Sequence, residues 1–285
     1  MTASDPDVLT DPAFRIGLPA DAPRWQARMA RFSDGPDHAG RRAEVVALVA
    51  ALPTAADLAA AARDRTEAWL ALSDRNLAPG GRMATTRHQV SLRSSRVDGM
   101  LLARRVPVAT LAEALGVPGD RVDEVVHHTA TVVASVAPRS GPAPVRPAAA
   151  DAAVRVLDAL LPGGTAALSI LFQAHDATAA LIGTALVTGL PVDDVFRDAP
   201  PVTSTRRVGP DGQPVVVDLA GHPFGAGPHA CPGRDQAVAL ATGVLAGISA
   251  AGWAPVPGPV TYEDRPNLRL PARLSLSPRP GWRSR

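Results

Sequence analysis

No lysine occurs among the 285 residues of this chain. All 29 basic residues are therefore arginine, scattered among 27 acidic ones, and the formal net charge is only +2. With no one-signed field and no basic stripe, the sequence makes no case for nucleic acid or for a charged membrane surface. Aromatic residues are scarce too, 4% against 46% hydrophobic, so the core must be built mostly from Ala, Leu and Val, and the long Ala- and Leu-rich runs favour helix. A single cysteine excludes an internal disulfide and suits a reducing cytoplasm. Residues 1–6 are polar and acidic, unlike a signal peptide, and no anchor segment is read ahead of the first motifs. The expectation is a soluble chain, long enough to bury a sizeable core.

That lone cysteine lies in the stretch Phe224-Gly225-Ala226-Gly227-Pro228-His229-Ala230-Cys231-Pro232-Gly233, directly ahead of an alanine-rich run beginning at Arg234. By composition alone one cysteine is most often a small buried hydrophobe. Its setting argues for a ligand instead. A thiolate stays ionised near positive charge, and a helix start offers unpaired N–H groups and the positive end of a dipole. Gly225, Gly227 and Gly233 carry no Cβ, so the backbone is free to take positive φ and to let a flat group lie close. Cysteine is one of the few protein ligands to haem iron, and hydrogen bonds to the sulfur tune it. His38 and Arg42 stand four apart at the start of another helical run, on one face, two donors suited to a carboxylate.

Periodicity and punctuation predict a short helix over 7–14 and longer ones over 36–52, 54–72, 106–118, 120–136, 148–161, 165–190 and 234–251. A hairpin is expected over 208–219, turning at Gly209-Pro210-Asp211-Gly212. Residues 73–98, which include His88, read as loop, and 137–147 as a stiff proline-rich connector. The 165–190 run is apolar on all sides apart from Gln173, His175 and Asp176, which describes a buried central helix rather than a membrane span. His127 and His128 are adjacent, face different directions and make a poor metal pair. The whole is read as one domain over 1–285 with a tail at 1–6.

Residues 224–233 resemble the cysteine-ligand loop of the cytochrome P450 family, Phe-Gly-x-Gly-x-His-x-Cys-x-Gly, matching at Phe224, Gly225, Gly227, His229, Cys231 and Gly233. Other segments are similar in the right order, among them Asp34 to Arg42, the central helix around Asp176, and Asp194 to Pro201. The resemblance implies a mainly α haem-thiolate fold in reduced form, with a small β component and one haem b. It makes Cys231 the iron ligand and sets His38, Arg42, Arg206 and His229 on the propionates, with the neighbouring Arg207 able to take the place of Arg206, and with Ala174, Phe224, Gly225 and Gly233 completing the site. It gives Asp176 and Thr178 to proton delivery. The family's usual threonine position holds Ala177 here, and the hydroxyl moves to Thr178, about 100° around the helix. Asp194 and Arg197 resemble the Glu-x-x-Arg pair that locks the core below the haem, and 262–274 resembles the closing strands. Two long helices roof the family's pocket where this chain offers only 148–161, so the roof is expected to be reduced, leaving an open pocket or one completed by a second subunit in a homodimer.

The function so implied is that of a cytoplasmic oxidoreductase, a monooxygenase tailoring a secondary metabolite. Its partners would be a small-molecule substrate, free or tethered to a carrier protein, and a ferredoxin with its reductase. Two other readings stay open. One is a haem enzyme of another kind, using peroxide or catalysing a dehydration or rearrangement. The other is a non-catalytic relative that supports a partner enzyme, against which the intact Cys231 argues.

Overall fold

The computed structural model describes residues 2–3, 6–18, 22–77, 96–136 and 147–280. His88, most of the expected loop over 73–98 and nearly all of the proline-rich connector lie outside them. Nine α-helices run through the described residues: α1 (Arg24–Ala27), α2 (Gly35–Ala51), α3 (Ala55–Leu77), α4 (Gly99–Ala114), α5 (Val122–Val136), α6 (Pro147–Leu160), α7 (Gly164–Thr188), α8 (Val192–Asp198) and α9 (Arg234–Ala250). Six short strands accompany them: β1 (Thr2–Ala3), β2 (Val97–Asp98), β3 (Ser204–Val208), β4 (Pro214–Asp218), β5 (Trp253–Pro255) and β6 (Ser275–Pro278). The result is mainly α with two small three-stranded sheets, ordered β1-β4-β3 and β2-β6-β5.

α7 is the axis. It is buried around most of its circumference and packs against α2, α4, α5, α6 and α9. Its length and apolar character would suffice to cross a membrane, but here its neighbours are other helices of the same core. Gly189 ends it in the left-handed conformation (φ 71°), its N–H returning to the Ala185 carbonyl. One apolar cluster runs from Trp25 through α3, α4, α7 and α9 to Leu276. Aromatic side chains supply little of it, and small residues let the helices approach instead. A Cβ on Gly243 of α9 would stand 2.2 Å from the Ala59 carbonyl oxygen of α3, and one on Gly247 would stand 2.7 Å from the Arg63 carbonyl oxygen. Gly183 of α7 admits the Met100 sulfur and Pro271 in the same way.

Several expectations need correcting. Residues 1–6 are not simply a tail, because Thr2 and Ala3 pair in parallel with Val216 and Val217. A 3₁₀ turn, Pro6–Leu9, stands where a short helix was expected. α4 begins at Gly99, well ahead of Pro107, because the Asp98 carboxylate accepts from the Met100 N–H (3.0 Å) and caps the helix there, leaving Pro107 buried in its interior. The same carboxylate accepts from the Leu274 N–H (3.2 Å), tying α4 to the closing segment. That segment is largely irregular, crossed by isolated bridges such as Tyr262 to Pro271, and the strands β5 and β6 flank it. The β3–β4 hairpin turns where expected, at Gly209 to Gly212.

Glycine in a helix ordinarily costs stability relative to alanine, so the close α3–α9 approach makes an inverted prediction. Gly243→Ala should lower the urea-unfolding free energy by about 1–3 kcal/mol through overpacking. Gly40→Ala in α2, where a Cβ meets nothing within 4 Å, should raise it by up to about 1 kcal/mol.

Candidate functional site

After β4 the chain folds through a run of tight turns into α9. His222 N–H donates to Leu219 O, Gly225 N–H to His222 O and Cys231 N–H to Phe224 O, each at 2.8 Å. Gly227 takes φ 63° in this loop, and a Cβ there would press on the Leu9 carbonyl oxygen at 2.9 Å. Phe224 is clasped between the Phe196 ring (4.7 Å between centroids) and the Arg234 guanidinium (5.2 Å). The loop thus delivers Cys231 to the wall of a cavity of about 650 Å³, just ahead of Gly233, the N-cap of α9. The Cys231 thiol is accessible, but the surface it offers belongs to the cavity. Burial pushes its pKa up, while the Gly233 N–H at the sulfur and the charges of Arg31 and Arg42 act the other way.

Positive groups converge on the same cavity. His38 and Arg42 reach it from consecutive turns of α2, and His38 stacks on His229 of the loop with ring centroids 4.0 Å apart. Burial, aided by Arg42, lowers the pKa of His38. Burial, then the charges of His38 and Arg207, brings His229 down to about 4. Asp34 opposes both shifts. Its carboxylate lies 3.7 Å from His229 Nε2 and accepts from the Ile16 N–H at 3.0 Å.

On β3 the two arginines separate. Adjacent residues of a strand face opposite sides, and Arg206 is the exposed one while Arg207 is only 4% accessible. Of the two candidates the sequence offered, Arg207 is therefore the buried cation, and Arg206 touches the cavity as an exposed group. Arg207 donates to Thr205 Oγ1 (3.2 Å) and to its neighbour's carbonyl (3.1 Å), and no described carboxylate forms an ion pair with it. Desolvation by burial, followed by the charge of Arg31, lowers its pKa.

The opposite wall is α7. Gln173, Ala174, Ala177, Thr178 and Leu181 share its cavity face, so Ala174 and Thr178 stand where the sequence put them. Asp176 does not line the cavity. Its carboxylate accepts from Arg265 (2.7 Å) and Arg104 (3.4 Å) and meets His175 Nδ1 at 2.9 Å. Glu263 bonds both arginines in turn, closing a ring that joins α4, α7 and the closing segment. Burial would raise the Asp176 pKa, but the hydrogen bond and charge of His175, with Arg265 and Arg104, hold it at about 2. These partners hold the carboxylate ionised, and it is turned away from the cavity. Sequence reasoning missed this ring because Arg104, Glu263 and Arg265 lie far apart in the chain. It also missed Arg31, whose only local sign is its place between Ala30 and Phe32.

The Asp194–Arg197 pair forms at 2.9 Å, but Arg197 is 69% exposed and also bonds Asp198. It lies on the surface and does not lock a core. α6, the expected remnant of a roof, contributes no residue to the cavity wall.

No family model and no curated protein matches the sequence. Solved structures match the fold. P450BioI in complex with hexadec-9Z-enoic acid ligated acyl carrier protein gives a TM-score of 0.65 at 14% identity, over 95% of this chain and 89% of that one. CYP109B1 from Bacillus subtilis gives 0.65 at 16%, over 95% and 90%. P450 EryK, as a mutant with erythromycin B, gives 0.62 at 19%, over 98% and 90%. The chain has the cytochrome P450 fold.

The Asp176 ring makes a pH prediction. Its folded pKa, about 2, lies below the ordinary 3.8, so the stability it contributes is present above about pH 4 and is lost as pH falls towards 2. That loss should be roughly 2 kcal/mol in urea unfolding. Asp176→Asn should remove this dependence and cost about 2 kcal/mol at pH 7, because Arg265, 5% exposed, keeps only Glu263 as a carboxylate partner.

Proposed function

We propose that this chain is a haem-thiolate oxidoreductase, a monooxygenase that tailors a small-molecule natural product in the cytoplasm, served by a ferredoxin and its reductase. The observation that carries the reading is one thiol, with a backbone N–H at its sulfur, set in a cavity lined by Arg31, Arg42, Arg206 and Arg207 and, among the described residues, by no aspartate or glutamate. The residues fit haem b. Iron needs one thiolate from this side, and Cys231 provides it. Two propionates would need donors, and Arg207 and His38, both buried, with Arg42 and His229, half-buried, could provide them. Gly225, with φ 70°, and Ala174 on the facing helix keep both walls low, as a flat macrocycle requires. When bound, the group supplies the redox chemistry that places one atom of dioxygen in a substrate C–H bond and reduces the other to water with two electrons from the ferredoxin.

The chain's own residues do the rest. Gly233 N–H and the α9 dipole hold negative charge on the Cys231 sulfur. Arg207, Arg42, His38 and His229 would hold the carboxylates of the group, and Phe224 stiffens the loop against Phe196 and Arg234. Thr178 presents the hydroxyl nearest the role of proton relay, since Asp176 is committed to its arginines. Substrate arrives free or bound to a carrier protein, the latter supported by the acyl carrier protein in the P450BioI structure.

A second reading is favoured by one feature. With Ala177 at the usual threonine position and Asp176 facing away from the cavity, a reaction that needs no delivered protons, such as peroxide use, dehydration or rearrangement, suits this wall better.

The deciding measurement is the ferrous carbonyl difference spectrum after hemin reconstitution. The wild type should show the long-wavelength Soret band of thiolate ligation, and Cys231→Ser should lose it. Arg207→Leu should weaken hemin binding roughly tenfold or more, and Arg206→Leu far less. A protein that stays colourless with hemin would end the reading.

A further inference from the structure

Gln26 is a polar side chain shut inside the molecule with nothing to bond. It sits on α1, 8% exposed, and lines the cavity. Its backbone is satisfied, the N–H donating to the Pro23 carbonyl (2.9 Å) and the carbonyl accepting from the Met29 N–H (3.1 Å). Its carboxamide forms no hydrogen bond with any described residue. The indole N–H of Trp25 beside it is also without a partner, but that atom is sealed off. The Gln26 carboxamide is not, and the space it meets is the cavity. Buried polar groups are paired as a rule, and leaving one unpaired is costly. The position is therefore built for a partner that arrives with a ligand.

The segment that carries Gln26 is fixed. Ala30 packs with Val45 of α2 and Ala166 of α7, and Phe32 meets Phe172 edge-on at 5.8 Å between centroids. Val45, Val49 and Ile170 give the cavity an apolar wall there. α7 adds the Gln173 carboxamide and the Thr178 hydroxyl, neither hydrogen-bonded to a described residue, whereas Ser169 donates to the Thr165 carbonyl (2.8 Å). These groups are neutral. The charges of Arg31 and Arg42 bear instead on the Cys231 sulfur, and that of Arg31 also on Arg207. A carboxamide both donates and accepts, so it can bond a hydroxyl in either direction. We infer that Gln26 is a specificity-determining residue, its carboxamide holding a hydroxyl of an otherwise apolar substrate laid against the α2–α7 wall. The assignment rests on the haem-thiolate reading for the reaction but not for the binding.

Titration calorimetry of octan-1-ol into hemin-free and hemin-loaded protein tests it, with 1-chlorooctane as the match lacking a hydroxyl and octanoate as the charged match. The wild type should bind octan-1-ol more tightly than either. Gln26→Met keeps the length of the side chain and removes its hydrogen bonds. It should weaken octan-1-ol about 3- to 10-fold, leaving 1-chlorooctane and hemin uptake unchanged, and Gln26→Asn should recover part of the loss. Should Gln26→Met fail to fold, judged by circular dichroism, Gln26→Leu takes its place. A wild type that does not tell octan-1-ol from 1-chlorooctane overturns the assignment. So does a variant that weakens both alike, the result of a merely structural role, or one that binds octan-1-ol as the wild type does. Octanoate bound more tightly than octan-1-ol gives the polar end to the arginines and overturns it too. A loss of hemin affinity in Gln26→Met with octan-1-ol unaffected makes Gln26 a cofactor contact instead. If the wild type takes up no hemin, the haem reading fails by itself, and the hemin-free titration still decides this one.

Discussion

A buried guanidinium with no ion-pair partner among the described carboxylates, that of Arg207, is what the cavity of this molecule is arranged around. Arg207, His38 and His229 crowd one side of the cavity, and Asp34 is the carboxylate that acts on all three. Both histidines respond by giving up their protons more readily, but an arginine has no such escape. The energetic cost of holding a buried guanidinium is met by packing elsewhere and is recovered when anions settle among the donors. Any ligand that does so adds to stability by mass action, in proportion to its concentration over its dissociation constant. The thiol belongs to the same arrangement, since burial alone favours its neutral form and the neighbouring cations and the Gly233 N–H favour the thiolate.

Two devices keep the walls of that cavity in place. On the loop side, α9 starts immediately after Cys231 and is held hard against α3 by Gly243 and Gly247, which bring backbone to backbone. On the other side, α7 is pinned by the Asp176–Arg104–Glu263–Arg265 ring and by the close seat of Gly183 on Met100 and Pro271. Neither device involves the cavity's own cations. The geometry between the sulfur and α7 is therefore set by packing and ion pairs, independent of what fills the space, and a ligand finds its donors already oriented.

How much of this the sequence disclosed depended on whether the signal was local. The decapeptide around Cys231, the His38–Arg42 spacing and the unbroken apolar run of α7 each lie within a few turns of chain, and each appears where it was read. The choice between Arg206 and Arg207 was open to strand alternation, because one of two neighbours had to face inward, yet nothing local said which. Asp194 and Arg197 paired as spaced, but spacing does not report depth, and they lie at the surface. The ring around Asp176 was out of reach. Its members sit on three separate segments, and only tertiary packing brings two acids and two arginines into mutual contact.

The helical repeat settles what the distal wall has to work with. Residues 174, 177, 178 and 181 share one face of α7, so an acid at 176 is turned towards α4 and the closing segment, where two arginines hold it. Moving the hydroxyl from 177 to 178 keeps it on the cavity face, though not at the same height or angle. The Cys231 side thus carries a thiol among cations, whereas the α7 side has two hydroxyls, Ser169 and Thr178, one amide, Gln173, and no acid in the lining. In the monooxygenase reading, reducing one atom of dioxygen to water would consume protons brought by way of Thr178 and whatever solvent the cavity admits. An oxidant such as peroxide brings its own protons and electrons and places no demand on the wall. The two readings of this site accordingly differ in a single physical requirement, the rate at which α7 passes a proton inward. The pairing of Asp176 with Arg265 and Arg104 turns the one acid of α7 away from that wall.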